Sequence, residues 1–122
     1  MKRFLQVASL VSLILVFALP AFGAGQPIRV GFPMFLTGGG ALFGEPAKTG
    51  AEMAVKEINE KGGVLGRPLE LLVRDCKGTP DEATRVAREL ILKEKVLFLV
   101  GGLTASQGLA LSELAKNEKI IY

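Results

Sequence analysis

The 122-residue sequence has no histidine and no tryptophan, and only one cysteine and one tyrosine. Without histidine it lacks the side chain that most often serves as metal ligand and as general base near neutral pH. Cys76, standing alone, cannot close an internal disulfide, and no imidazole is present to activate it as a nucleophile. Paired-carboxylate chemistry is not indicated either, because neither Glu45 nor Asp75 has a second acid tied to it by spacing. Excess charge of one sign is also missing. Fifteen Lys and Arg face twelve Asp and Glu, and without Lys2 and Arg3 the formal balance is about +1. The other cations are interleaved with acids, as on solvated helix faces, so no nucleic-acid stripe is present. These absences argue against an enzyme, a metal site, a bound cofactor or a nucleic-acid partner.

What is there begins with an export signal. Lys2 and Arg3 form a basic start, and Phe4 to Leu19 is apolar apart from Gln6, Ser9 and Ser12. Pro20-Ala21-Phe22-Gly23-Ala24 supplies small residues at cleavage spacing, with Ala21 at −3 and Gly23 at −1. This pattern predicts a signal peptide over 1–23, cleaved after Gly23, and a soluble mature chain from residue 24. A retained membrane anchor is the alternative, disfavoured by the length and the short basic flank. No cysteine lies there to carry a lipid.

From Ile28 to Asp75 the chain reads strand, glycine-rich turn, helix, glycine turn, strand. The helix is expected from about Pro46 to Lys61, with Ala47, Ala51, Ala54, Val55 and Ile58 as one stripe facing a sheet. Gly62-Gly63 ends it, and Leu69 to Val73 is a second strand. Two strands joined through a helix make a parallel, right-handed βαβ unit. Thr79-Pro80-Asp81-Glu82 then carries an N-cap threonine, a proline at the first helical position and a capping-box glutamate. Ala83, Val86, Ala87, Leu90 and Ile91 follow at helical spacing. Val96 to Val100, lacking polar alternation, predicts a third strand covered on both faces. A third helix is expected from near Ser106 to Asn117, with Ala110, Leu114 and Ala115 inward. Ile120-Ile121-Tyr122 opens a fourth strand, so the sequence reads as an incomplete parallel α/β domain.

Two loops are candidates for binding. TGGGALFG fails both phosphate patterns: Phe43 stands where a dinucleotide fingerprint needs its last glycine, and Glu45-Pro46 follow Gly44 where a P-loop needs Lys-Ser/Thr. Phe43 therefore has two readings, a cover for the core edge or an apolar wall of a small-molecule site. Gly101-Gly102-Leu103-Thr104-Ala105-Ser106 joins a strand to a helix N-terminus. Its free backbone N–H groups, with the hydroxyls of Thr104 and Ser106, suit a carboxylate. Its plain alternative is an N-cap at Ser106.

Taken together, these segments resemble the periplasmic substrate-binding proteins of branched-chain amino-acid ABC transporters, the Leu/Ile/Val-binding type. The resemblance runs from Ile28 to Tyr122. It is carried by Ile28-Arg29-Val30-Gly31, Leu36-Thr37-Gly38, Phe43-Gly44, Gly50-Ala51-Glu52-Met53-Ala54-Val55 and Ile58-Asn59-Glu60-Lys61-Gly62-Gly63-Val64-Leu65-Gly66-Arg67. Asp75, Pro80, Ala83 and Gly101 complete it. It implies a type I periplasmic-binding fold, a three-layer αβα lobe of which residues 24–122 are the first part, with a second lobe outside this sequence.

The resemblance further implies that Phe43 is an aromatic cleft position and that Leu103, Thr104 and Ala105 hold a ligand α-carboxylate. Relatives that take aliphatic amino acids often have serine where Ala105 stands, which puts ligand identity in question. Some relatives have a disulfide cysteine near Cys76; the partner position is Thr104, so Cys76 is expected to be free. The implied function is a periplasmic carrier that delivers an amino acid or small organic acid to ABC permease membrane subunits. A ligand-sensing receptor module of the same fold, binding an amide or organic acid, is the alternative.

Overall fold

The computed structural model describes residues 25–122. The expected signal peptide and its cleavage after Gly23 lie outside the described residues. Three parallel strands form the sheet, Ile28–Met34 (β1), Leu69–Asp75 (β2) and Phe98–Leu99 (β3), in the order β2-β1-β3. β1 pairs with β2 along its whole length, from Ile28↔Leu69 to Met34↔Asp75, and with β3 at Val30↔Phe98 and Gly31↔Leu99. The helices are Ala41–Glu60 (α1), Pro80–Leu92 (α2) and Ala105–Glu118 (α3), with a 3₁₀ turn at Gly38–Gly40 before α1. The parallel α/β expectation holds.

Strand order decides where the helices go. The β1–α1–β2 crossover steps one way along the sheet and the β2–α2–β3 crossover steps back past β1. Right-handed connections therefore put α1 and α2 on opposite faces. α2 behaves as its spacing predicts, burying Ala83, Val86, Ala87, Leu90 and Ile91. They pack with Val96, Leu99, Leu111 and Leu114 into one core. On β1, Gly31 leaves room for that core, since a side chain there would meet Leu99, Leu90 and Val96. Thr79 caps α2 by accepting from the Glu82 amide, with Pro80 in the first turn. The other half of the expected capping box is absent: the Glu82 carboxylate pairs with Arg85, and the Thr79 amide donates to the Cys76 carbonyl.

Three expectations need correction. α1 starts at Ala41, not near Pro46; the 3₁₀ turn leads straight into it, and Pro46 lies inside the helix. Proline there marks no helix start and only withholds a donor from the Leu42 carbonyl. The inward stripe also differs. Ala51 and Val55 are half-buried, but Ala47 and Ala54 are exposed and Ile58 is 37% accessible. The row against the sheet is Gly44, Ala51, Val55 and Asn59. Asn59 sets it by donating to the Leu69 carbonyl at 2.9 Å and accepting from the Leu69 amide at 2.7 Å.

The third strand is the last correction. Only Phe98–Leu99 is regular, and Leu97 and Val100 are half exposed, so it is not covered on both faces. Among the described residues α1 is the only helix on that face, and it lies along β2. In α3, Leu114 and Ala115 are buried as expected, but Ala110 is half-buried while Leu111 and Gln107 are fully buried. The fourth strand is present in outline: Ile121 bridges Phe98 in parallel and accepts from the Leu99 amide at 2.8 Å.

Candidate functional site

The order β2-β1-β3 creates a topological switch point between β1 and β3. The chain leaves β1 toward α1 on one face and β3 toward α3 on the other, so a crevice opens at the carboxyl edge between them. Both loops singled out from the sequence lie at this edge. Val100 and Gly102 still donate to the Gly31 and Pro33 carbonyls, each at 2.9 Å, so the second loop leaves the sheet at Leu103. Gly101 is at φ 127°, and a Cβ there would run into the Pro33 carbonyl, a conformation and an approach that suit glycine.

Thr104, not Ser106, is the N-cap of α3. Its hydroxyl accepts from the Gln107 amide at 3.3 Å, and the Gln107 side chain accepts from the Thr104 amide at 3.3 Å, a complete capping box. The same Gln107 oxygen accepts from the Leu103 amide at 2.8 Å. The expectation of free amides is thus corrected at Leu103 and Thr104: both are already engaged. The amides of Ala105 and Ser106, in the first turn of α3, have no intrahelical partner. The Thr104 and Ser106 hydroxyls lie 3.0 Å apart and are exposed. Two amides and two hydroxyls thus converge at a helix N-terminus, an arrangement that suits an anionic oxygen pair. Ala105 contributes backbone alone.

Phe43 lies in the first turn of α1 and is 65% accessible. It does not cover the core edge. Phe35, which the sequence reading passed over, does that work. A side-chain carbon at Gly40 or Gly78 would collide with the Phe35 ring, and one at Gly44 with its carbonyl. Phe35 thus wedges the β1 loop against the turn after β2. Leu103, by contrast, is 38% accessible beside Thr104.

Asp75 was read as an isolated acid. It joins the loop after β1 to the turn after β2, accepting from the Leu36 amide at 3.0 Å, the Lys77 amide at 2.9 Å and the Thr37 hydroxyl. Burial alone would raise its carboxyl, but these hydrogen bonds, led by Thr37, outweigh that and hold it below the ordinary range. Cys76 is a free, fully buried thiol pushed up by burial, with Gln107 Nε2 donating to its sulfur at 3.6 Å. It is placed as a packing residue, away from reactive exposure. Tyr122, also unforeseen, donates to the Gly101 carbonyl at 2.8 Å and backs the loop. Grooves of about 460 Å³ beside Arg85 and Arg88, and about 490 Å³ beside Gly50 and Met53, lie on helix faces away from this edge.

This partial parallel α/β lobe matches the type I periplasmic-binding fold of solved substrate-binding proteins. The chain belongs to the periplasmic binding protein family, whose profile matches residues 27–122. It is 36% identical over 95 residues to the Leu/Ile/Val-binding protein BraC3 of Rhizobium johnstonii, covering 77% of this chain and 26% of that protein. It is 30% identical over 96 residues to the Leu/Ile/Val-binding protein of Escherichia coli K12, covering 79% and 26%. Among solved structures it is similar to the branched-chain amino acid transporter substrate binding protein LivJ of Streptococcus pneumoniae in complex with isoleucine. There the TM-score is 0.74 at 31% identity, covering 78% of this chain and 28% of that one. The chain spans about a quarter of the length of these relatives.

Proposed function

We propose that this chain supplies the first lobe of a periplasmic solute-binding protein of an ABC transporter. It binds a branched-chain amino acid or related small carboxylate and delivers it to the permease subunits. The observation that carries the reading is the donor set at the switch point: the hydroxyls of Thr104 and Ser106 with the amides of Ala105 and Ser106. These donors take the ligand carboxylate, charge-assisted and at the positive end of α3. Phe43, exposed at the same edge, supplies apolar wall for an aliphatic side chain. The relatives named above are transport binding proteins, which supports carriage without covalent chemistry. Closure of a second lobe over the ligand would stabilise the state the permease reads, by contacts made only when closed. Residues 1–23 direct the chain to the periplasm.

The test is a thermal-shift screen of the mature protein, starting at Ala24 and expressed from the longest reading frame that contains it. Stabilisation by leucine, isoleucine or valine supports the amino-acid carrier. Stabilisation only by an amide or another organic acid would keep the transport reading and change its substrate. No response to any of these compounds would overturn the reading.

A further inference from the structure

We propose that Gln107 is a positioning residue for ligand recognition, pre-forming the Leu103–Ser106 loop so that the ligand meets the Thr104–Ser106 hydroxyl pair and not the Leu103 and Thr104 amides. This rests on the carboxylate-binding role proposed for that loop. The side chain of Gln107 is fully buried, yet none of its polar atoms is left without a partner. Its oxygen, which has two acceptor sites, takes the amides of Leu103 and Thr104. Its nitrogen donates to the sulfur of Cys76, at the end of β2 and 31 positions away. Gln107 therefore ties the loop after β3 to the interior beneath the loop after β2.

The consequence for the donor set follows by counting. An uncommitted start to α3 would offer the amides of Thr104, Ala105, Ser106 and Gln107, with that of Leu103 just ahead of them, to any anion. The Gln107 side chain takes the amides of Leu103 and Thr104, and its own amide goes to the Thr104 hydroxyl. The Thr104 oxygen is likewise occupied as acceptor by the Gln107 amide, which turns its hydrogen away from the helix. Between them Thr104 and Ser106 have two hydroxyl hydrogens and one mutual hydrogen bond, so one hydrogen stays free whichever residue donates. What is presented is a fixed trio: one hydroxyl and the amides of Ala105 and Ser106. Fixing donors before the ligand arrives lowers the ordering cost of binding.

The experiment is a double-mutant cycle for L-leucine affinity by calorimetry on the full mature protein, using Gln107→Met, Thr104→Val and the double variant. Methionine keeps the length and apolar volume of glutamine while removing both hydrogen-bonding ends. Gln107→Met should weaken leucine binding about tenfold or more, as loss of an outer supporting partner does at other built sites. In the Thr104→Val background the same change should cost less than about threefold, because the group it positions is already gone. Equal factors in both backgrounds would reduce Gln107 to a fold-stabilising residue. Amide hydrogen exchange supplies a measurement that survives a misfolded variant. In unliganded wild-type protein the Leu103 and Thr104 amides should exchange slowly, and fast exchange there would overturn the proposal. Should wild-type protein bind another small carboxylate in place of leucine, the cycle is run with that ligand; should it bind none, the carrier reading fails and exchange alone decides whether Gln107 pre-forms the loop.

Discussion

Asp75 and Thr37, 38 positions apart, are joined by a hydrogen bond from the threonine hydroxyl to the carboxylate. The bond closes the gap between the loop that leaves β1 and the turn that leaves β2, and the Leu36 and Lys77 amides reinforce it on the other oxygen. Asp75 thereby holds the β1 side of the crevice as Gln107 holds the β3 side. Its carboxyl is depressed below the ordinary 3.8, so its contribution is fully present above that value and is lost as pH falls through the folded pKa. Asp75→Asn should therefore destabilise the protein by about 1–2 kcal/mol near neutrality, with the difference from wild type shrinking below about pH 4. Thermal unfolding at several pH values checks this. A gap that is constant from neutrality to pH 3 would mean the charge is not what matters.

Phe35 and Phe43 bracket the same glycine loop but should respond in opposite ways. Phe35→Ala empties the wedge between Gly40 and Gly78 and is expected to cost about 3 kcal/mol in urea unfolding. Phe43→Ala removes a ring that is already 65% accessible, so stability should change by less than about 0.5 kcal/mol while leucine binding weakens. If Phe43→Ala unfolds the chain and Phe35→Ala does not, the two assignments are reversed.

These two aromatics also mark how far the sequence could be read. α2 was legible at its start and along its buried face because its signals are local: Thr79 and Pro80 at the start, then one clean stripe of five apolar residues. α1 carries apolar residues on several sides, so its inward row is chosen by remote partners, Leu69 for Asn59 and Phe35 for Gly44. No periodicity contains that information. At the site, the strand, small-residue loop and helix start around Thr104 stood out, because a helix N-terminus has a local signature. The capping box was written in the sequence too, as Thr104 followed by Gln107 at the third position. Taking Ser106 as the helix start hid it. Asp75 and Tyr122 were illegible for a different reason, since their partners are contributed by distant loops.

Asn59 offers a test of helix placement that does not involve the ligand. Its side chain completes a two-way hydrogen bond with the backbone of Leu69, the first residue of β2. Asn59→Ala leaves that part-buried amide and carbonyl without their partner and should cost about 1–3 kcal/mol. Asn59→Asp, which keeps the acceptor but loses the donor, should fall between alanine and wild type. Chemical denaturation with unchanged slope would place the loss in the folded state. Equal stability of all three proteins would show that α1 is held by packing alone.

Thr104 combines a structural and a proposed binding role, and two substitutions separate them. Thr104→Ser keeps the hydroxyl and should preserve both the cap and leucine affinity. Thr104→Val keeps the shape, loses the cap at about 1 kcal/mol, and should weaken leucine binding as well. A valine variant that is less stable yet binds leucine unchanged would leave Thr104 as a cap only.

Ala105 gives the prediction with the clearest direction. It is the first residue of α3, exposed, between two hydroxyl-bearing neighbours at the proposed carboxylate site. Adding a hydroxyl there meets no core packing, and serine is a fair residue for a first helical turn. A hydrogen bond to an anionic ligand contributes more than one to a neutral group. Ala105→Ser should therefore tighten leucine binding by about three- to tenfold, a gain of roughly 1 kcal/mol, without moving the unfolding temperature of the unliganded protein. The same substitution should do little for a ligand that lacks a carboxylate, such as leucinamide, so the two compounds are compared side by side by calorimetry. Tightening for both would mean the new hydroxyl acts on the loop and not on the ligand. No tightening for leucine would place the carboxylate elsewhere and remove Ala105 from the site.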